Sequence, residues 1–302
     1  MRVFVTGATG FIGSAVVREL SGAGHSVLGL SRSDSGAKAL TAAGAEVLRG
    51  SIEDLDGLRK GAAASDGVIH LAFNHDFSQF EKNCENDRKA ITAIGEVLLG
   101  SNRSFVITSG TAIAANVDGQ PSTEDGPTAS WNPRTASEAA VRELTMRGVN
   151  TSVVRLPQVH DTRKQGLVPY LLSVAREKGV SAYIGDGGNR WPAAHVSDVA
   201  RLYRLALEKA EAGAIYHAVD EEGVAMKAIV EVHGRGLNVP VVSISPDKAE
   251  AHFGWLARFA QHDMPASSAI TRQKLNWNPT GPGLIADLER MDYSNFDGLI
   301  KA

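Results

Sequence analysis

Cysteine is nearly absent: Cys84 is the only one in 302 residues. One thiol forms no internal disulfide and cannot build a thiolate zinc site, and such usage points to a reducing compartment, the cytoplasm by default. Long apolar runs are missing as well. No uninterrupted stretch approaches the roughly eighteen residues of a membrane span, and the first residues enter a strand pattern at once, leaving no room for a secretory leader. Charge of one sign is also lacking. The 31 Lys and Arg against 34 Asp and Glu leave a net −3, which gives no footprint for nucleic acid or an acidic membrane. The nine histidines show no His-Glu-x-x-His spacing, so no metal site is expected. Neither a Gly-x-Ser-x-Gly elbow nor a Gly-x-x-x-x-Gly-Lys loop occurs, which excludes the corresponding hydrolases and ATPases.

What remains is ordinary for a globular protein, with 43% apolar and 22% charged residues and length for one large α/β unit with a small lobe. The informative stretch is the first thirteen residues. Val3, Phe4 and Val5 read as a buried strand, Thr6-Gly7 breaks it, and a helical pattern starts near Phe11. Gly7, Gly10 and Gly13 then stand at spacings of three. Gly7 allows a sharp turn, Gly10 lets the backbone approach a pyrophosphate, and Gly13 lets the helix lie on the strand, with its free N–H groups facing the phosphates. Thr6, Gly7, Thr9, Gly10, Phe11, Ile12 and Gly13 are therefore candidate cofactor-binding residues.

Strand and helix patterns alternate along the chain, which predicts an α/β fold: a Rossmann-type, doubly wound parallel sheet with a small C-terminal substrate-binding lobe. Residues 1–165 form the NAD(P)-binding unit. Residues 166–302 form mainly the lobe, with some segments returning to the main sheet. The second strand ends at Ser31-Arg32-Ser33, where a dinucleotide fold meets the adenosine ribose. No acid stands at 28–33, and Arg32 with flanking serines favours the 2′-phosphate of NADP over NAD; an exposed surface arginine is the alternative. Leu71, Ala72 and Phe73 end the fourth strand and would line the dinucleotide. His70 reads as a packed core histidine. His75 and Asp76 lie just past the strand, and His75 is a candidate for the substrate or a plain loop residue. Residues 115–133 read as a loop covering a site.

The glycine spacing with Thr6 ahead resembles the short-chain dehydrogenase/reductase superfamily, in particular its extended and atypical, epimerase-like branches. Gly185-Asp-Gly-Gly188 followed by His195-Val-x-Asp198-Val-Ala200 is similar to the substrate-lobe signature of the extended branch. The resemblance implies that Ser51 and Ile52 contact the adenine, that Pro157 and Val159 contact the nicotinamide, and that Ser109, with Thr111 behind it, hydrogen-bonds a substrate carbonyl. It places His160 on the substrate side, with a satisfied loop histidine as the alternative. Trp191 is read as a pocket wall or as lobe core, with the pocket slightly favoured.

The family's catalytic helix bears Tyr-x-x-x-Lys, and aligning on Ser137 puts Arg134 and Glu138 in those places. None of the five tyrosines has Lys four residues on. Arg134 and Glu138 read either as an i,i+4 ion pair or, for Arg134, as a fixed cation stabilising oxyanion charge. Arg cannot act as an acid near neutral pH, so water, His75 or His160 would supply the proton. The resulting expectation is an NAD(P)H-dependent reductase of a small aldehyde or ketone. The alternatives are a sugar-nucleotide epimerase or dehydratase, which leans on the missing Tyr, and a dinucleotide-binding sensor without turnover. The resemblance implies that a helix expected over 78–100 could pair with a second copy as a homodimer, and its polar mix reads equally as a solvated helix.

Overall fold

The first strand shows how this sequence makes its core. Val3, Phe4 and Val5 are all fully buried, yet they point alternately to opposite faces of the sheet, as strand geometry requires. Val3 and Val5 pack with the first helix, whereas Phe4 packs with the helices of the other face. A strand covered on both sides has no polar positions, which is why it reads as a continuous apolar run. A computed structural model describes residues 1–116, 119–129 and 132–294, apart from the side chain of Phe77.

The main unit runs β1 (Arg2–Thr6), α1 (Phe11–Gly22), β2 (Ser26–Ser31), α2 (Asp34–Ala42), β3 (Glu46–Arg49), α3 (Leu55–Ala63), β4 (Gly67–His70), α4 (Phe80–Leu98), β5 (Phe105–Gly110), α5 (Thr135–Met146) and β6 (Thr151–Leu156). The second half follows as β7 (Gln158–His160), α6 (Val168–Lys178), β8 (Ser181–Ile184), β9 (Arg190–His195), α7 (Val196–Lys209), β10 (Ile215–His217) and β11 (Glu221–Ala225). It ends with α8 (Met226–Leu237), β12 (Val241–Ile244) and the short helices α9 (Ala249–Phe253), α10 (Ala257–Gln261), α11 (Ala269–Leu275) and α12 (Leu284–Glu289).

Seven strands form one sheet in the order β10-β6-β5-β4-β1-β2-β3, every pair parallel. This is the doubly wound arrangement, and its order reverses between β1 and β4, where a crevice opens at the strand carboxyl ends. Helices α1 and α7 cover one face, and α3, α4 and α5 cover the other. The lobe has its own core around Leu171, Trp191, Ile229, Phe253 and Leu288. Two small sheets, β11-β9-β7 and β12-β8, frame it. The cut at residue 165 is thus one of chain order, since α7, β10 and Trp277 return to the main core. Buried Asp198 fastens that return. It accepts from the Thr280 and Gly281 N–H groups at 3.0 and 2.7 Å, besides lying in the first turn of α7.

The expected helix over 78–100 begins later, at Phe80, after a 3₁₀ turn capped by Asp76. The loop at 115–133 is strapped to the lobe: Ser122 pairs with the backbone around Ala266. Buried Glu124 accepts from the Thr271 N–H and hydroxyl at 2.7 and 2.6 Å. Residues 117, 118, 130 and 131 of this loop lie outside the described residues. Among the described residues no helix is long and apolar enough to cross a membrane.

Candidate active site

The crevice begins at the glycine turn. Gly7 has φ +66°, and a Cβ there would lie 2.8 Å from the Ala72 nitrogen. A Cβ on Gly13 would lie 2.0 Å from the Gly7 carbonyl oxygen, so helix and turn touch backbone to backbone. Gly10 starts α1 without a side-chain cap, and no acid occupies the first turn. The uncapped N–H groups and the positive helix end suit an anionic pyrophosphate, so Gly7, Gly10 and Gly13, with exposed Thr9, fit the dinucleotide. Phe11 and Ile12 are half-buried on the same turn, as are Leu71, Ala72 and Phe73 across from it and Ser51 and Ile52 at the exit of β3. Pro157, half-buried, follows β6.

Several expected contacts are corrected. Thr6 is fully buried, and its oxygen accepts from the Leu71 and Ala72 N–H groups at 3.2 Å each while meeting His70 Nδ1 at 2.8 Å. It clamps β1 to the end of β4 and has no side-chain surface for a cofactor. Val159 packs in the main core because β7 turns away to pair with β9. Ser31 is buried and its hydroxyl donates to the Ser33 carbonyl. Trp191 is lobe core, fully buried, its Nε1 donating to the Phe259 carbonyl at 3.3 Å. His160 is fully buried too, with Nδ1 2.7 Å from Asp287. Arg32 is exposed, and no hydrogen bond or ion pair holds it among the described residues. Asp34 just beyond is paired with Arg49 at 2.8 Å.

The pair standing where Tyr-x-x-x-Lys is expected does not form an ion pair with itself. Arg134 binds Asp87 at 2.9 Å, donates to the Thr108 carbonyl at 3.1 Å, and stacks 3.8 Å above the Phe73 ring. Glu138 instead takes Arg155 of β6 bidentately, at 2.9 Å on both oxygens. Each charge on the α5 face is therefore answered from a different element. Arg134 is thus engaged from several sides, while its Nη1, in ion-pair range of Asp87, has no hydrogen-bond partner among the described residues.

Asp87 is the hub beneath the crevice. It is fully buried, accepting from Ser137 at 2.6 Å and meeting His70 Nε2 at 3.1 Å. Since the Thr6 hydroxyl already accepts two N–H groups, its proton goes to His70 Nδ1, and His70 donates from Nε2 to Asp87. Burial would raise the Asp87 pKa, but the Arg134 cation and the His70 and Ser137 hydrogen bonds outweigh it, and the net direction is down. Behind Glu138, Arg155 lies 3.2 Å from His217 Nε2, and His217 Nδ1 donates to the Ser267 carbonyl at 2.8 Å. Burial and the Arg155 cation push His217 down to about 3.

The Ser109 hydroxyl is buried at the carboxyl end of β5 and, like Arg134 Nη1 and His160 Nε2, has no hydrogen-bond partner among the described residues. Thr111 close by donates to the Leu156 carbonyl at 3.3 Å. His75 is exposed and packs edge-on to Phe73 at 5.2 Å. Desolvation first, then the Arg134 and Lys164 cations, lower its pKa. Sequence reasoning missed Asp87 and Arg155. The signal for Asp87 was present: it interrupts the apolar stripe of Cys84, Ala90, Ile91 and Ile94 on α4. Arg155 likewise interrupts the apolar run of Val153, Val154 and Leu156 in an internal strand.

A glycine cradle at the switch point of a doubly wound sheet, with an open hydroxyl one strand away, defines a dinucleotide-binding oxidoreductase-type cleft. The sequence profile of the NAD dependent epimerase/dehydratase family matches residues 3–220, and the chain belongs to that family. An uncharacterized protein of Schizosaccharomyces pombe is 49% identical over 295 residues, covering 97% of this chain and all of its own length. A 4-hydroxy-2-methyl-3-oxo-4-farnesyl-3,4-dihydroquinoline-1-oxide ketoreductase of Stigmatella aurantiaca is 26% identical, covering 88% of this chain and 84% of its own. Among solved structures, the Thermus thermophilus UDP-glucose 4-epimerase in complex with NAD superposes with a TM-score of 0.76 at 20% identity, over 99% of this chain and all of that one.

Proposed function

We propose that this protein is an NAD(P)H-dependent reductase of a small aldehyde or ketone. The observation that carries the reading is the Ser109 hydroxyl, buried and unpartnered at the strand end where a carbonyl oxygen would sit. A buried donor left unpaired is costly unless a ligand completes it. The dinucleotide, when bound, supplies hydride. The chain would hold its pyrophosphate with the Gly7–Gly13 turn, line it with Leu71–Phe73 and Pro157, and set Ser109 on the substrate oxygen. Epimerase and dehydratase chemistry leans on a tyrosine base, and the position expected to carry one holds an arginine locked to Asp87. For the cofactor, unpaired Arg32 beside a neutralised Asp34 supports NADPH over NADH.

The test is NADPH and NADH oxidation by purified protein across a panel of small aldehydes and ketones, beside Ser109→Ala. Turnover lost in the variant with dinucleotide affinity kept is the expected result. Tight dinucleotide binding without turnover on any carbonyl would instead favour the non-catalytic sensor, which the locked Arg134 and Glu138 also suit.

A further inference from the structure

In a doubly wound fold the adenosine ribose sits where the carboxyl end of the second strand meets the glycine turn. Contacts in this chain bring those two places together. A Cβ on Gly36, in the first turn of α2, would lie 2.5 Å from the Ser31 hydroxyl oxygen and 3.0 Å from Thr9 Cγ2. The Ser33 hydroxyl oxygen would be 3.1 Å away. The turn after β2 is therefore packed against Thr9 of the glycine turn, and Arg32 within it is exposed.

A second arginine reaches the same turn from β3. Ser31 stands opposite Arg49 in the parallel ladder, and the Gly50 N–H donates to the Ser31 carbonyl at 3.2 Å. Arg49 Nη1 donates to the Ser33 carbonyl, which also accepts from the Ser31 hydroxyl at 3.0 Å. Arg49 Nη2 donates to Asp34 Oδ1 at 2.8 Å. Two contacts thus fix the guanidinium across residues 33 and 34, one on backbone and one on a carboxylate. Its Nε–H and the second hydrogen of each Nη have no partner among the described residues, and the side chain is 48% exposed. Asp34 has its own place as the acid in the first turn of α2, whose N-cap Ser33 accepts the Gly36 N–H at 3.1 Å. An exposed ion pair contributes little to stability, whereas a guanidinium already held in place gives up little freedom on meeting a phosphate.

We propose that Arg49 is a second determinant of dinucleotide choice, closing with Arg32 a two-cation clamp on the 2′-phosphate of NADPH. This rests on the NADPH preference argued above. A phosphate monoester carries about 1.5–2 negative charges at neutral pH, more than one cation answers. Arg32 offers a charge on an unheld side chain, and Arg49 adds one on a held side chain. Asp34 is the positioning residue: it steadies Arg49 and, paired with it, no longer presents an unanswered negative charge to the phosphate. The 2′-hydroxyl of NADH carries no charge for either arginine, so the clamp separates the two dinucleotides without acting on the parts they share.

Fluorescence titration of NADPH and NADH against wild type, Arg49→Gln, Asp34→Asn and the double variant decides the matter. Arg49→Gln should lose about 10- to 100-fold in NADPH affinity, the worth of one charge-assisted contact, and leave NADH nearly unchanged. Unchanged NADH binding doubles as the check that the turn stays folded. The same NADPH loss should appear when Arg49→Gln is made in the Asp34→Asn background. If the loss disappears there, Arg49 merely cancels Asp34, and the clamp is overturned. Equal loss of both dinucleotides would make Arg49 a strut of the turn and overturn it as well. A wild type that binds NADH at least as tightly as NADPH would fail the NADPH reading itself. A wild type that prefers NADPH, with Arg49→Gln unchanged, would fail the clamp alone.

Discussion

Restoring the family's Tyr-x-x-x-Lys by Arg134→Tyr with Glu138→Lys should unfold this protein rather than repair it. The first change removes the cation from Asp87, which is fully buried and 2.9 Å from Arg134. The second replaces a bidentate carboxylate with an ammonium pressed against Arg155, itself fully buried. Breaking one buried pair by removing a partner costs about 3–5 kcal/mol, because the remaining charge stays desolvated. Two such losses total about 6–10 kcal/mol, against a whole-domain stability of about 5–15 kcal/mol. At roughly 2–4 °C per kcal/mol for a chain of this size class, thermal unfolding followed by circular dichroism should show a transition about 20 °C lower, or none. Adding Asp87→Asn and Arg155→Leu to the graft removes the charges stranded at those two positions but leaves the introduced lysine buried at position 138, and should recover only part of the loss. A graft whose transition stays within about 3 °C of wild type would refute the claim that these pairs are buried and mutually dependent.

Gly13→Ala should abolish dinucleotide binding and lower stability, since its Cβ would press on the Gly7 carbonyl with only backbone to give way; fluorescence titration of NADPH checks it. Arg32→Glu should weaken NADPH far more than NADH, and equal loss for both would show that the 2′-phosphate reading is wrong. Acid should destabilise the fold early. His217 and His233 are pushed down to about 3, the first by burial and Arg155, the second by burial. Between about pH 6.5 and 3 the unfolded chain protonates both while the folded one does not. Stability therefore falls as pH drops, by up to about 1.4 kcal/mol per pH unit for each. Urea midpoints at pH 5 and 7 measure this, and His233→Leu, which removes two ring nitrogens lacking partners among the described residues, should shrink the difference and raise stability at pH 5.

By itself the sequence determined the elements whose signals are local. Val3–Val5, the three glycines and the helix after Phe11 are set by steric demands a few residues apart, and alternating strand and helix patterns bring the doubly wound sheet with them. The absence of Tyr-x-x-x-Lys is likewise a fact of sequence. Tertiary structure alone decided what replaces it. Arg134 and Glu138 stand four apart on one helix, the spacing of an ion pair, but each meets a buried opposite charge 47 or 17 residues away in the chain. Asp87 and Arg155 are both fully buried and each needs an opposite charge, and no local pattern encodes which elements meet. The same holds for Trp191 and His160, whose positions depend on how β7 and β9 pair to build the lobe.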